Sequence, residues 1–130
     1  MSWYLDSSAV LKLLITEKGS AALTDFIDFT IKSSTLTRVE VIRVLLKIAP
    51  ERIADAKTIL AGIDVTTVNS AVLNTAENFN PSITLSSLDA LHVATVLFLE
   101  KTIEVLITYD KQMITNEKAL GIKTLSPGVK

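Results

Sequence analysis

Short apolar runs alternate along the chain with longer segments whose apolar residues recur every three or four positions. The short runs, which predict strands, span residues 2–5, 31–36, 64–68, 104–108 and 122–125. The longer segments, which predict helices, span residues 9–15, 19–29, 37–49, 51–62, 70–79, 86–100 and 111–120. Short strands that alternate with helices predict an α/β layer fold with a mainly parallel sheet of about five strands.

The composition is that of one folded domain without thiol chemistry. The chain has 130 residues, near the roughly 150 of a typical domain, so we expect a single domain over residues 1–130. Apolar residues make up 48% and aromatic residues only 5%, which predicts an aliphatic core. The absence of cysteine and the presence of one histidine, His92, exclude thiolate nucleophiles, cysteine-held metals and mechanisms that need two imidazoles. Carboxylates and hydroxyls, alone or with a metal ion, remain for chemistry.

Charge and hydropathy bear on whether the protein coats nucleic acid or associates with a membrane. Thirteen Lys and Arg against fourteen Asp and Glu give a net charge of −1, without the basic excess of a general nucleic-acid coat. No apolar run approaches the ~18 residues of a membrane helix. Met1 is not followed by the basic region of a signal peptide. We therefore expect a cytoplasmic protein that does not associate with a membrane.

Four acidic residues stand apart because they lie where predicted strands end or predicted helices begin: Asp6, Glu40, Asp89 and Asp110. In a parallel sheet the carboxyl ends of strands and the N-termini of helices share one edge, where open α/β sheets bind ligands. Carboxylates beside a dry core repel one another and lose hydration, and a cation offsets both costs. Oxygen ligands favour Mg²⁺ or Mn²⁺, ions that support phosphodiester chemistry.

Each of these acids also has a purely structural explanation. Residues 37–40 and 86–89 both match the S/T-x-x-E/D capping box, in which side chains satisfy free backbone N–H groups. Asp6 and Asp110 are suited to be N-caps. Capping alone does not explain why Glu40 and Asp89 are each followed by a strongly apolar helix.

Several short motifs together resemble a known family: residues 6–9 (DSSA), 37–40 (TRVE), 88–94 (LDALHVA), 108–110 (TYD), 121–122 (GI) and 126–127 (SP). They are similar to the PIN-domain ribonucleases, and most of all to the VapC-type toxins of type II toxin–antitoxin modules. The resemblance runs from the first strand to the last few residues. No single motif is specific, and the signal lies in their order and separations.

The resemblance implies a PIN-like three-layer fold, with helices on both faces of the sheet, and a metal-dependent endoribonuclease. Its catalytic acids match Asp6, Glu40, Asp89 and Asp110. Of these, Asp6, Asp89 and Asp110 match positions that hold Mg²⁺ or Mn²⁺, and Glu40 positions or deprotonates the attacking water. Ser8 and Thr108 match hydroxyl positions that orient a carboxylate or contact the phosphate. Cleavage would leave a 5′-phosphate and a 3′-hydroxyl.

The same resemblance implies partners: an RNA substrate, a second copy of the chain in a homodimer, and a cognate antitoxin whose extended tail blocks the acidic pocket. The chain departs from one variant of the pattern at Gln112, where some relatives carry a further acid. A neutral amide binds a cation less strongly, so the number of metal ions, one or two, stays open. His92, three residues after Asp89, is either a packed core residue or a member of the site.

Two other functions stay open at the level of sequence. The same fold serves RNA-processing nucleases that have no antitoxin. Alternatively, the acids are only helix caps, and the chain is a non-catalytic protein-binding module that acts through its apolar helices.

Overall fold

The computed structural model describes residues 2–15 and 30–128. The helix predicted over residues 19–29 lies outside this part of the chain. The described elements are, in chain order, β1 (Ser2–Leu5), α1 (Ser7–Leu14), β2 (Thr30–Ser34), α2 (Thr35–Ile48), a 3-10 turn (Pro50–Arg52), α3 (Ile53–Ala61), β3 (Asp64–Thr66), α4 (Ser70–Glu77), α5 (Ser87–Phe98), β4 (Ile103–Ile107), α6 (Lys111–Leu120) and β5 (Thr124–Leu125). Strands therefore alternate with helices, as the hydrophobic pattern predicts.

The described strands form one parallel sheet in the order β3-β2-β1-β4-β5. Strand β1 is central, and its Trp3 pairs with Ile31 of β2 on one side and with Val105 of β4 on the other. The chain first builds the sheet outward from β1 to β3, then returns to add β4 on the opposite side. This reversal opens a crevice between the carboxyl ends of β1 and β4, the place where α/β sheets usually bind ligands.

Alternation along the central strands divides the core into two layers. One face packs against α1, α2 and α3 through the buried side chains Trp3, Leu5, Val105, Ile107, Val10, Val41, Leu45 and Ala56. The other face packs against α5 and α6 through the buried side chains Tyr4, Leu106, Val93, Val96 and Met113. Helices cover both faces of the sheet, so the three-layer α/β fold is confirmed. No helix of the described ranges is long and apolar enough to cross a membrane.

The start of α2 differs from the prediction and corrects the capping box proposed for residues 37–40. The helix begins at Thr35, and its N-cap is Ser34, whose hydroxyl accepts a hydrogen bond from Leu36 N at 3.2 Å. Thr37 lies inside the helix and is buried, with its hydroxyl 2.6 Å from Ser33 Oγ. Glu40 is therefore a full turn beyond the cap, and its carboxylate contacts side chains of other elements.

Candidate functional site

Asp6 lies directly after β1 and is both a helix cap and an interior carboxylate. Its Oδ1 accepts hydrogen bonds from Ala9 N at 3.0 Å and from Ser8 Oγ at 2.6 Å. Its Oδ2 accepts a hydrogen bond from the hydroxyl of Thr108. The residue is only 4% exposed. Burial raises the pKa of Asp6, and the hydroxyl donors Ser8 and Thr108 oppose that rise.

Thr108 and Ser8 tie the two sides of the crevice together. Thr108 follows β4 and is fully buried; its hydroxyl donates to Asp6 and accepts from Asp110 N at 3.1 Å. Ser8, in α1, accepts a hydrogen bond from Tyr109 N at 2.9 Å. The loops that follow β1 and β4 are thus held in one arrangement by short polar side chains.

Asp110 and Asp89 lie at the N-terminal ends of α6 and α5, respectively. Asp110 is the N-cap of α6, and its Oδ1 accepts hydrogen bonds from Gln112 N and Met113 N at 2.8 and 3.1 Å. Asp89 lies in the first turn of α5, where its backbone N–H donates to the N-cap Ser86 at 3.2 Å. Burial raises the pKa of Asp89, and the negative charge of Asp110 is the next cause. The two carboxylates are therefore close enough to repel each other.

Glu40 reaches the site through His92. Glu40 Oε1 lies 2.6 Å from His92 Nε2, and its Oε2 accepts a hydrogen bond from Ser7 Oγ at 3.3 Å. His92 Nδ1 lies 2.8 Å from the hydroxyl of Tyr4, in the central strand. Both Tyr4 and His92 are buried. Sequence reasoning left the role of His92 open, and the structure makes it the link between α2, α5 and β1.

His92 bridges two groups through its two ring nitrogens. Burial, and after it the negative charge of Asp6, raises the pKa of Tyr4 far above its usual value, so the phenol keeps its proton. The hydroxyl of Tyr4 lies at Nδ1, and Glu40 Oε1 lies at Nε2. Because a carboxylate oxygen can only accept, Nε2–H donates to Glu40 and holds one of its oxygens in a fixed position.

Glu117 is an interior acid that sequence reasoning missed. It lies in α6, its side chain is 0% exposed, and neither carboxylate oxygen has a hydrogen-bond partner in the described part of the chain. Burial raises its pKa to about 9, and the negative charges of Asp6, Asp110 and Asp89 contribute. The sequence does contain one sign of its burial: Glu117 lies one helical turn after Met113 and one turn before Leu120, on the apolar face of the predicted helix.

The structure brings all four predicted acids to the edge where the strands end. Besides burial, the negative charges of Asp110 and Asp6 both raise the pKa of Asp89, and Glu40 is connected to α5 through His92. As these side chains stand, no three Asp, Glu or His residues within 2–15 and 30–128 lie close enough together to hold one ion. Protein donors engage Asp6 and Asp110, so coordination by several carboxylates requires side-chain rotation.

Comparison with known proteins identifies the class to which this arrangement belongs. Residues 3–118 match the PIN domain family. The chain is 33% identical over 132 residues to Ribonuclease VapC47 of Mycobacterium tuberculosis, covering 96% of each protein, and 36% identical over 126 residues to Ribonuclease VapC46 of the same species, covering 95% of this chain and 96% of the relative. The chain therefore belongs to the PIN domain family, within its VapC group.

Solved structures agree on the fold. The chain superimposes with a TM-score of 0.76 on Mycobacterium tuberculosis VapC20, described as a toxin that cleaves the sarcin–ricin loop; the match has 16% identity and covers 96% of this chain and 99% of the other. A toxin–antitoxin complex from Klebsiella pneumoniae also gives 0.76, with 14% identity over 95% of this chain and 96% of the other. At such identities the likeness concerns the fold alone.

Proposed function

We propose that this protein is a divalent-metal-dependent endoribonuclease that acts as the toxin of a type II toxin–antitoxin module. The observation that carries the proposal is the gathering of Asp6, Asp89 and Asp110 at the crevice between β1 and β4. In the described part of the chain no lysine or arginine forms an ion pair with them. The relatives of this chain that are named VapC ribonucleases align with it over almost its whole length. This likeness supports assigning ribonuclease chemistry to the crevice.

The donor set fits Mg²⁺ or Mn²⁺. Asp6, Asp89 and Asp110 offer only hard oxygen ligands, which these ions prefer. Burial raises the pKa values of Asp6 and Asp89, and this cost of burying negative charge is one that a bound cation would offset. When bound, such an ion neutralises charge on the phosphate and lowers the pKa of its water.

The chain's own residues divide the remaining work. Ser8 and Thr108 keep the carboxylate of Asp6 in place by donating to its two oxygens. His92 Nε2–H holds Glu40 Oε1, and Glu40 Oε2 is the atom that accepts a proton from the attacking water. Water attack on the phosphorus breaks the bond to the 3′-oxygen, and the products carry a 5′-phosphate and a 3′-hydroxyl.

The surface beside Glu40 suits a protein partner. Glu40 forms part of the wall of a groove of about 370 Å³, whose apolar lining is Leu36, Val39, Val44 and Leu88. Val39 and Leu88 are among the large apolar side chains left exposed. A cognate antitoxin segment in this groove would cover the approach to the acids. Our proposal includes a homodimer formed through exposed apolar faces, and a cytoplasmic location, where an RNA substrate is available.

The test is RNA cleavage by the purified chain with Mg²⁺ or Mn²⁺. We expect cleavage to stop with a chelator, and to fall by a factor of at least about 100 in Asp89→Asn, since the substitution removes a metal-binding charge. Asp55→Asn is the matched control, because Asp55 is exposed on α3 and pairs with the neighbouring Arg52. Undiminished cleavage by Asp89→Asn, with the control also active, would contradict the assignment.

A further inference from the structure

A cavity that the proposed chemistry does not use lies between the first half of α6 and the end of β5. Its volume is about 490 Å³, within the range of about 300–1,000 Å³ that is typical of sites for small ligands. Its apolar walls are the side chains of Tyr109, Ile114 and Leu125, and the hydroxyl residues Thr115 and Thr124 also line it. The cavity is therefore large enough for a small planar group and offers it both apolar and polar contacts.

This cavity lies directly beside the acidic crevice. Tyr109 and Lys111, which both line it, are the residues on either side of Asp110. Hydrogen bonds hold the loop that they share: Tyr109 N donates to Ser8 Oγ at 2.9 Å, and Asp110 Oδ1 accepts from the first turn of α6. A polymer that is bound with one phosphate at the acids can therefore place its neighbouring unit in the cavity.

Hydrogen bonds and a ring contact order the walls of the cavity. The hydroxyl of Tyr109 donates to Pro127 O at 2.8 Å, and the ammonium of Lys12 lies 5.0 Å from the centre of the tyrosine ring. Ser126 Oγ donates to Thr108 O, which ties the segment after β5 to the end of β4. Because these contacts fix both sides of the cavity, binding of a ligand requires little rearrangement of the protein.

The polar groups at the cavity are available to a ligand. In the part of the chain that the structure describes, the hydroxyls of Thr115 and Thr124 make no hydrogen bond, and the ammonium of Lys111 forms no ion pair. Hydroxyls both donate and accept, so they can contact the polar edge of a nucleobase, and a lysine suits a phosphate. An aromatic and aliphatic wall suits the face of the base. This combination of groups matches a single unpaired nucleotide.

We propose that this cavity binds the base of one unpaired nucleotide next to the cleaved bond, with Thr115 and Thr124 contacting the edge of the base and Lys111 contacting its phosphate. The proposal rests on the proposed function, because it names the part of the RNA that the nuclease recognises. Proteins recognise RNA sequence mostly in single strands, whose unstacked bases can enter such pockets. The chain thus selects its cleavage site by the identity of a base as well as by access to the acids.

The base preference of cleavage tests the role of the two hydroxyls. Purified protein with Mg²⁺ cleaves a pool of short, unstructured RNAs of random sequence, and sequencing of the products gives the preference at each position around the cut. We expect the wild type to favour particular bases at one flanking position by about 10-fold or more. The double variant Thr115→Val, Thr124→Val should reduce that preference to below about threefold, because it removes the hydrogen-bonding groups.

Thr58→Val is the matched control for the hydroxyl substitutions. Thr58 is exposed in α3, which packs on the opposite face of the sheet from α6. We expect this variant to keep the base preference of the wild type.

Filling the cavity gives a second measurement that does not depend on cleavage. Thr115→Trp places an indole ring there, and because Thr115 is exposed we expect the melting temperature to change by no more than about 3 °C. RNA binding is measured with Mg²⁺ in the Asp89→Asn background, by fluorescence anisotropy of a labelled, unstructured RNA that carries the preferred base. We expect Thr115→Trp to weaken binding about 10-fold or more, as when one base loses its stacking contacts. Thr58→Trp in the same background should bind as its parent does.

The results separate this inference from the proposed function. RNA cleavage by the wild type without a base preference would overturn the inference and leave the nuclease assignment intact. A preference that the double variant retains, or RNA binding by Thr115→Trp within about twofold of its parent, would do the same. A wild type that cleaves no RNA with Mg²⁺ or Mn²⁺ would contradict the proposed function and the inference together.

Discussion

At the scale of single residues, helix caps and candidate ligands are the same side chains. Asp6 and Asp110 each accept hydrogen bonds from the first turn of a helix, as the capping explanation predicts. The two residues lie on opposite sides of the crevice and are linked by Thr108, whose hydroxyl donates to the carboxylate of Asp6 and accepts from the backbone N–H of Asp110. Capping therefore places both acids at the edge where the strands end, and the capping hydrogen bonds are ones that a metal ion would have to replace in part.

His92 offers a residue-level test of how Glu40 is positioned. His92→Phe removes the donor to Glu40 and the hydrogen bond between the ring and the buried hydroxyl of Tyr4. We expect a loss of about 1–3 kcal/mol in the free energy of unfolding. We also expect kcat for RNA cleavage to fall about 10-fold or more with KM little changed, because the role we propose for Glu40 is in the chemical step. Urea unfolding and steady-state kinetics measure the two effects.

The control for His92→Phe must lose stability without touching Glu40. Val96→Ala meets this need, since Val96 is buried one turn further along α5 and packs with Tyr4 and Met113. It should cost a comparable 1–3 kcal/mol by leaving a cavity, at roughly unchanged kcat. His92→Gln, which retains an N–H donor, should restore part of the activity. Equal kcat values for His92→Phe and Val96→Ala would show that His92 is only structural.

At the scale of elements, the hydrophobic pattern predicted the strands and helices of the described chain, and α6 matches to the residue. The predicted start of α2 was wrong because several hydroxyl residues lie at the junction between β2 and α2. Ser33, Ser34 and Thr37 all carry side chains that can cap a helix. Spacing alone favours Thr37, but Ser33 and Thr37 bond to each other in the core, and this leaves Ser34 as the cap.

Ser34→Ala tests that assignment of the cap. The substitution removes the side-chain acceptor of Leu36 N and should lower the free energy of unfolding by about 0.5–2 kcal/mol. Thr35→Ala is the neighbouring control: Thr35 is exposed in the first turn of α2, so a change within about 0.5 kcal/mol is expected. Equal unfolding midpoints for the two variants in urea would place the cap elsewhere.

At the scale of the whole molecule, the net charge of −1 is an average that conceals an acidic interior edge. Sequence patterns found Asp6, Asp89 and Asp110 because they stand at element boundaries. The link from Tyr4 to His92 joins residues 88 positions apart, and no local pattern encodes it. Glu117 was missed for a related reason: its burial beside the other acids depends on how α6 packs against the sheet. Local spacing thus predicts the rim of the site, and tertiary packing decides its interior.

The acidic edge makes the stability of the metal-free protein depend on pH. The pKa values of Asp6, Asp89 and Glu117 are raised on folding. At a pH above the pKa values of these acids in the unfolded chain, the folded chain therefore binds more protons than the unfolded chain. The free energy of unfolding is then greatest at the lowest pH at which the chain stays folded, and it declines as the pH rises. The contribution of Glu117 continues to decline up to about pH 9, its pKa in the folded chain. We expect the melting temperature in chelator to fall between about pH 5 and about pH 8, with a smaller fall in Glu117→Gln.

Mg²⁺ should reverse this trend, because it binds the deprotonated acids and competes with protons. At about 100 times its dissociation constant, a ligand that binds only the folded state adds about 2.7 kcal/mol, which for a chain of this length corresponds to a rise of several degrees. We expect that rise near pH 8, a smaller one near pH 5 at the same Mg²⁺ concentration, and none in Asp89→Asn. Thermal melts of the wild type and this variant with Mg²⁺ and with chelator provide the measurement. A metal-free wild type whose melting temperature increases from pH 5 to pH 8 would show that the carboxylates are compensated within the protein and need no cation.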